Sequence, residues 1–217
     1  MKSYSKILAF SFLCLVSSFV NATDITRISV DLQRQLLVDK TQTLVCWIPP
    51  ELFSMIGDVK NVEEDKYIRS TFKGYLMFVV LKVNLRPNGV TAVLSHSDTI
   101  ASVSVQIDQG DLLVPIADKA LSPEINRLAG AIRTYFRKSL GLMGESLEVV
   151  IFPDPATSSK TGALSEGLIK MRFAGDKFDW RLPLGSFLPV KVDSKTGEEF
   201  PGNFIFNPFT GNSLDRK

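Results

Sequence analysis

The sequence predicts an α+β fold: a mainly antiparallel sheet with two or three helices, followed by a small C-terminal β-hairpin module. Three observations predict it. Short apolar or alternating runs recur between turn signals at residues 43–48, 75–85, 90–94, 100–107 and 147–152, which is strand patterning. One segment, 122–140, carries a clear helical stripe. After residue 186 the composition changes, and Gly, Pro and Phe crowd together. The expected layout is a signal peptide at 1–22, an α+β domain at 23–186 and a tail at 187–217.

Residues 1–22 read as an export signal. Lys2 and Lys6 form a basic start, residues 7–20 are mostly apolar, and Val20-Asn21-Ala22 fits the cleavage point. The apolar run is shorter than the roughly 20 residues that a membrane-spanning helix needs. Ser11-Phe12-Leu13 is too bulky to make Cys14 a lipidation site. The expected location is periplasmic or extracellular. Loss of the segment takes two lysines and no acid, so 25 basic residues become 23, against 23 acidic. A neutral chain gives no global argument for nucleic acid or an anionic membrane as partner. Cys14 leaves too, so Cys46 has no disulfide partner within the chain. Its apolar neighbours predict a core thiol, and it lacks the positive neighbours of a reactive one.

The elements follow in order. Residues 24–41 mix helical and strand signals and stay open. Residues 43–48 form a strand that stops at Pro49-Pro50. Pro50 suits the start of a short helix at 51–56. Asn61 and Glu64 make a capping box for a helix reaching about residue 73, ended by Gly74. Residues 75–85 are a long apolar strand before the turn Pro87-Asn88-Gly89. Strands follow at 90–94 and 100–107, the second alternating Val103, Val105 and Ile107 with Ser102, Ser104 and Gln106. Ser122-Pro123-Glu124 opens the main helix. Its stripe is Ile125, Leu128, Ala129, Ile132, Phe136 and Leu140, with Gly141 as stop. Arg127, Arg133, Arg137 and Lys138 read as a solvated face, weighed against a basic docking face. Residues 147–152 are a strand, and 153–166 read as an exposed loop.

The best-specified local structure is a hairpin. A type II′ turn at Gly175-Asp176 pairs Phe173 with Phe178, Met171 with Trp180 and Ile169 with Leu182 on one face. On the other face Arg172 meets Asp179 and Lys170 meets Arg181.

Catalytic patterns are sparse. His96 is the sole histidine, within Ser95-His96-Ser97-Asp98. Triad members come from separate places in a fold, so this run reads as a polar loop after a strand. The sequence has no GxSxG, Walker, HExxH or dinucleotide motif. Glu63-Glu64-Asp65 and the pair Asp108 and Asp111 are the carboxylate groups that a hydrolase would draw on. A helix's first turn and a tight turn explain them as well. Asp108 and Asp111 show too few oxygens for calcium. No catalytic residue, cofactor or metal site is assigned.

The tail carries one frame twice: Asp193-Ser194-Lys195-Thr196-Gly197 and Asn207-Pro208-Phe209-Thr210-Gly211. Gly202-Asn203-Phe204-Ile205-Phe206 lies between. This resembles a zinc ribbon, with Asp193, Thr196, Asn207 and Thr210 at its four ligand positions and Gly197 and Gly211 at its knuckle glycines. None of the four is Cys or His, so the ribbon is degenerate and tetrahedral zinc is not expected. Asp, Asn and Thr instead suit turns in which a side-chain oxygen accepts a backbone N–H two residues on. Phe200, Phe204, Phe206 and Phe209 are expected to supply the burial that metal would otherwise give.

The whole chain resembles signal-peptide-bearing bacterial proteins of unknown function, through Trp47-Ile48-Pro49-Pro50, Trp180-Arg181-Leu182-Pro183-Leu184-Gly185-Ser186 and the ribbon-like tail. The resemblance implies export and a two-part layout. The expected function is a non-catalytic, exported protein that binds another protein or an envelope component, with the tail as its interaction module. The alternatives are an envelope-polymer hydrolase using paired carboxylates and an apolar small-ligand carrier.

Overall fold

The computed structural model describes residues 22–56, 62–87, 89–155 and 162–217. The export signal before Ala22, Asn61 of the capping box and Asn88 of the turn lie outside the described residues.

Ala22–Leu32 forms helix α1 and runs directly into strand β1, Gln33–Val38. These are the residues with mixed signals. Arg34 fixes the change: its Nη1 donates to the carbonyls of Val30, Asp31 and Gln33 at the helix end, and its Nε donates to Asp179 O. Satisfying those carbonyls lets the helix stop without a glycine. A two-residue turn leads to β2, Thr41–Ile48, which Pro49 ends. Helices α2, Pro50–Ile56, and α3, Val62–Phe72, follow, and Gly74 at φ 84 reverses the chain. Next come β3, Tyr75–Arg86, β4, Gly89–Ala92, helix α4, His96–Ala101, β5, Val103–Ile107, and β6, Leu112–Leu113. Helix α5, Pro123–Leu140, has Ser122 as its cap, with the hydroxyl accepting from Ile125 N at 3.3 Å. Strands β7, Leu147–Pro153, β8, Gly167–Phe173, and β9, Asp176–Leu182, complete the main unit. The tail adds β10, Lys191–Asp193, β11, Glu199–Phe200, and β12, Leu214–Arg216.

The pairing is antiparallel throughout, so the fold is α+β. In the first sheet β1, β2 and β3 lie side by side. The far edge of β3 is divided: its first half pairs with β7 and its last residues with β4. The second sheet runs β6-β5-β8-β9. Side chains alternate along a strand, so Leu76, Phe78, Val80 and Lys82 share one face of β3. That face meets the second sheet: the rings of Phe78 and Trp180 lie 5.5 Å apart, and Trp180 Nε1 donates to Leu32 O at 3.0 Å. Met77, Val79, Leu81 and Val83, on the opposite face, are equally buried. Ile125, Ala129 and Phe136 of α5 join the same core. Two-sided burial explains why β3 reads as a continuous apolar run. Cys46 is buried with it, and burial pushes its thiol up to about 12.

Three expectations need correction. Residues 100–107 are not one strand, because Ser95 caps a helix that takes up Ile100: its hydroxyl accepts from Asp98 N at 3.1 Å. The 153–166 segment, of which 156–161 lie outside the described residues, is not simply exposed after residue 162. Ala163 is fully buried, its N–H donates to Glu51 Oε2, and its carbonyl accepts from Leu184 N.

The hairpin turns one residue earlier, at Ala174-Gly175, with φ of 49 and 88. Both central residues have positive φ, as a type I′ turn requires, and this type matches strand twist. The expected faces survive, since a two-residue change of partner preserves parity. The partners change: Ile169 faces Trp180, Met171 faces Phe178, Lys170 faces Asp179 and Arg172 faces Lys177. A tertiary anchor favours this register. Asp176 Oδ2 accepts from Thr43 Oγ1 at 2.8 Å and from Lys82 Nζ at 3.0 Å, and the same Nζ donates to Ala174 O. Burial raises the Asp176 carboxyl, and the bonds and charge of Lys82, with the Thr43 bond, more than reverse this, leaving it below its ordinary value.

Candidate functional site

The tail is a three-stranded sheet with β10 between β11 and β12. Its two repeated units fold alike. Asp193 O accepts from Gly197 N and Asn207 O from Gly211 N, each at 2.8 Å. Gly197 and Gly211 sit at φ 73 and 74, a conformation that glycine adopts without strain. Asp193 Oδ1 accepts from Lys195 N and Asn207 Oδ1 from Phe209 N, both at 2.9 Å. Thr196 Oγ1 accepts from Glu198 N and Thr210 Oγ1 from Asn212 N, at 3.3 and 3.4 Å. Both units therefore use their first and fourth side chains to hold backbone N–H groups two residues on.

The units are joined through Asp193. Its Oδ2 accepts from Asn207 Nδ2 at 2.7 Å, Asn212 Nδ2 at 3.0 Å and Thr210 Oγ1 at 3.2 Å. Asp193 and Asn207 are both buried. Bonds from Asn212, Asn207, the Lys195 N–H and Thr210 outweigh burial and hold the Asp193 carboxyl well below the usual carboxylate range. Asn207 cannot be turned over, because its oxygen serves Phe209 N and Thr210 N. The Asp–Asn difference between the units is thus a requirement: one first residue must accept and the other donate. The N–H and O–H donors around this carboxylate satisfy both of its oxygens from within the protein. Among the described residues, no three His, Cys, Asp or Glu side chains gather as a metal ligand set.

The phenylalanines behave otherwise than expected. Phe200 is buried and stacks on Phe204 at 6.3 Å. Phe204, Phe206 and Phe209 are exposed at 37%, 58% and 85%, with Ile205 at 65%. Polar bonds at Asp193 hold the module, and most of its aromatic surface is turned outward. Two of the nine candidate residues, Asp193 and Asn207, meet side chain to side chain, and Thr210 joins them. Thr196 instead bonds Glu198 Oε2, and Gly197 and Gly211 serve their turns. Asn212 was missed. The signal was available, since it stands one place past the second glycine, as Glu198 stands past the first.

The module is seated on the main unit. Gly202 N donates to Gly185 O, and Arg27 Nη2 lies 3.4 Å from Glu199 Oε2. A Cβ at Gly185 would lie 2.3 Å from Asn203 Oδ1 and 2.7 Å from Pro201 Cβ, so the tail packs more closely on the main unit there than a side chain would allow.

No protein-family model, curated protein or solved structure matches this chain. The functional reading rests on its own geometry.

The other candidates are engaged structurally. Ser95 Oγ donates to Asp98 Oδ2 at 2.6 Å, while His96 Nδ1 lies 3.1 Å from Glu148 Oε2. The run is a helix start with its histidine aimed at β7, and no Ser–His relay forms. Glu63 pairs with Lys66 and Asp65 with Arg69 on α3. Asp108 joins β5 to β8, its Oδ1 accepting from Leu168 N at 2.8 Å. Of the basic face, Arg133 is partly buried and lies 3.9 Å from Glu148.

A cleft of about 690 Å³ opens between α3 and the segment around Ser165, with Glu51, Arg69, Tyr75 and Asp154 on its walls. Glu51 is tied down on both oxygens, 3.6 Å from Arg69 Nη1 and accepting from Ala163 N at 3.3 Å. Among the described residues, no helix is long and apolar enough to cross a membrane.

Proposed function

We propose that this chain is an exported, non-catalytic protein that binds another protein or an envelope component through the outward aromatic face of its tail. The observation that carries the reading is the display of Phe204, Ile205, Phe206 and Phe209 on a module held rigid from within by Asp193. Contiguous exposed apolar side chains are costly on a soluble surface and mark contact sites. Aromatic anchors on a fixed frame lose little entropy on binding. The hydrolase alternative is weaker, since Glu63 and Asp65 pair with bases on α3 and Asp108 joins β5 to β8. The carrier alternative is weaker too: its apolar runs are β3 and β7, packed in the core.

The test uses the full-length protein and a Phe206→Ser/Phe209→Ser variant, each immobilised and exposed to envelope extract. Both residues point outward, so the variant keeps its fold. The expected result is loss of the parent's specific partners. Recovery of the same partners by both proteins refutes the reading.

A further inference from the structure

We propose that this chain forms a two-fold homodimer by antiparallel pairing of β1 with β1 of a second copy. Strand edges expose unpaired N–H and C=O groups, and proteins protect them by shortness, charge or cover. Most strand edges here are protected. Strands β6 and β11 have two residues, β12 has three and β4 has four. Strand β9 exposes Lys177, Asp179 and Arg181, and Arg34 covers the carbonyl of Asp179. Strand β1 is different. Among the described residues β2 is its sole strand neighbour, and Leu36, Leu37 and Val38 are exposed at 39%, 48% and 54%. No proline or charge interrupts residues 35–38.

The hydrogen-bond phase of this edge is readable. The two-residue turn makes Val38 and Thr41 a hydrogen-bonded pair. Bonded and unbonded pairs alternate, so Arg34 and Leu36 also face β2, while Gln33, Gln35 and Leu37 point their N–H and C=O outward. A strand pairing antiparallel with its own copy is self-complementary, which a two-fold dimer requires.

The surroundings select one register, with Leu36 opposite Leu36. Gln35 then meets Leu37 of the second copy twice, each time as a doubly hydrogen-bonded pair. Centring on Leu37 instead would set Arg34 against Lys40 and recruit Asp39, whose φ of 54 is not extended. Centring on Gln35 would set Val38 against Leu32, which is buried within α1. The chosen register places apolar side chains on both faces of the seam, and the two first sheets become continuous.

Sedimentation of the full-length protein over a wide concentration range tests this. The expected result is a reversible dimer. Leu37→Lys puts a charge on the edge, and Gln35→Pro removes only an outward N–H, so β1 keeps its bonds to β2. Each variant is expected to sediment as a folded monomer with an unchanged far-UV spectrum. With Cys14 replaced by Ser, Leu36→Cys is expected to form a covalent dimer under added oxidant, because unbonded antiparallel pairs bring Cα atoms to about 4.5 Å. Val62→Cys, on helix α3 and more exposed at 70%, is the control. A parent monomeric at every concentration overturns the proposal. So does a dimer that survives both edge variants, or cross-linking no faster at residue 36 than at 62. The Phe206→Ser/Phe209→Ser variant is expected to dimerise normally, which separates this result from the tail reading.

Discussion

A single carboxylate, Asp193, accepts from three side chains of the second turn and is the most heavily bonded link between the two turns. Its folded pKa lies below the unfolded value of about 3.9. The sign follows: the stabilisation is fully present above the unfolded value and is lost as pH falls through the folded one. Amide exchange at Gly197 and Gly211 is therefore expected to stay slow from pH 5 to 8 and to accelerate well below pH 4, before the β8–β9 ladder opens. Asp193→Ala is expected to give fast exchange at both glycines at neutral pH, with β8–β9 unaffected. Unchanged protection would show that the turns close without the carboxylate. Cys46 gives a second residue-level expectation. With its pKa held near 12 by burial, it is essentially all thiol at neutral pH, and a disulfide-exchange reagent is expected to react only on unfolding. The Asp193 turns were legible in the sequence because an Asx turn depends on local spacing. The fate of the phenylalanines was not, since nothing in Phe206 or Phe209 tells whether the chain folds over it.

At the scale of elements, the β8–β9 hairpin shows what local pattern fixes and what it leaves open. Alternation put Phe173, Met171, Ile169, Phe178, Trp180 and Leu182 on the correct face. It could not choose between two turns that share this parity. Glycine chemistry favoured Gly175-Asp176, and the distant Lys82 and Thr43 favoured Ala174-Gly175 by holding Asp176. The cost is Ala174 in the left-handed region, about 1–2 kcal/mol. Ala174→Asn is expected to recover part of it and raise stability by about 0.5–1 kcal/mol, read as a higher denaturant midpoint at constant slope. Lys82→Ala leaves Asp176 partly buried without its cation and is expected to cost about 2 kcal/mol, between the values for exposed and buried pairs. If Ala174→Asn destabilises, the I′ assignment fails. The helix α1 to β1 change was illegible for a similar reason, as Arg34 settles it by reaching Asp179 from another part of the chain.

Across the whole molecule, the tail is fitted to the main unit at Gly185, whose carbonyl accepts from Gly202 N and whose missing Cβ leaves room for Pro201 and Asn203. Gly185→Ala is expected to cost about 1–3 kcal/mol, the range for forced overpacking, and to loosen the tail before the sheets melt. Differential scanning calorimetry with tail-specific exchange would detect this, and a wild-type profile would refute it. The α+β class was legible in composition and periodicity. The division into two sheets was not, because β3 reads as one apolar run whether it has one partner or three. That divided edge carries a cost in time. Residues 75–81 await a partner that is made only at residues 147–153, so the middle of the chain must be in place before the first sheet can close. Distant pairing of this kind slows folding, and until then the most apolar strand of the protein lies open on one side. Refolding yield is therefore expected to fall steeply with protein concentration, and helper factors that shield nascent strands should matter more for this chain than for a sheet of consecutive hairpins.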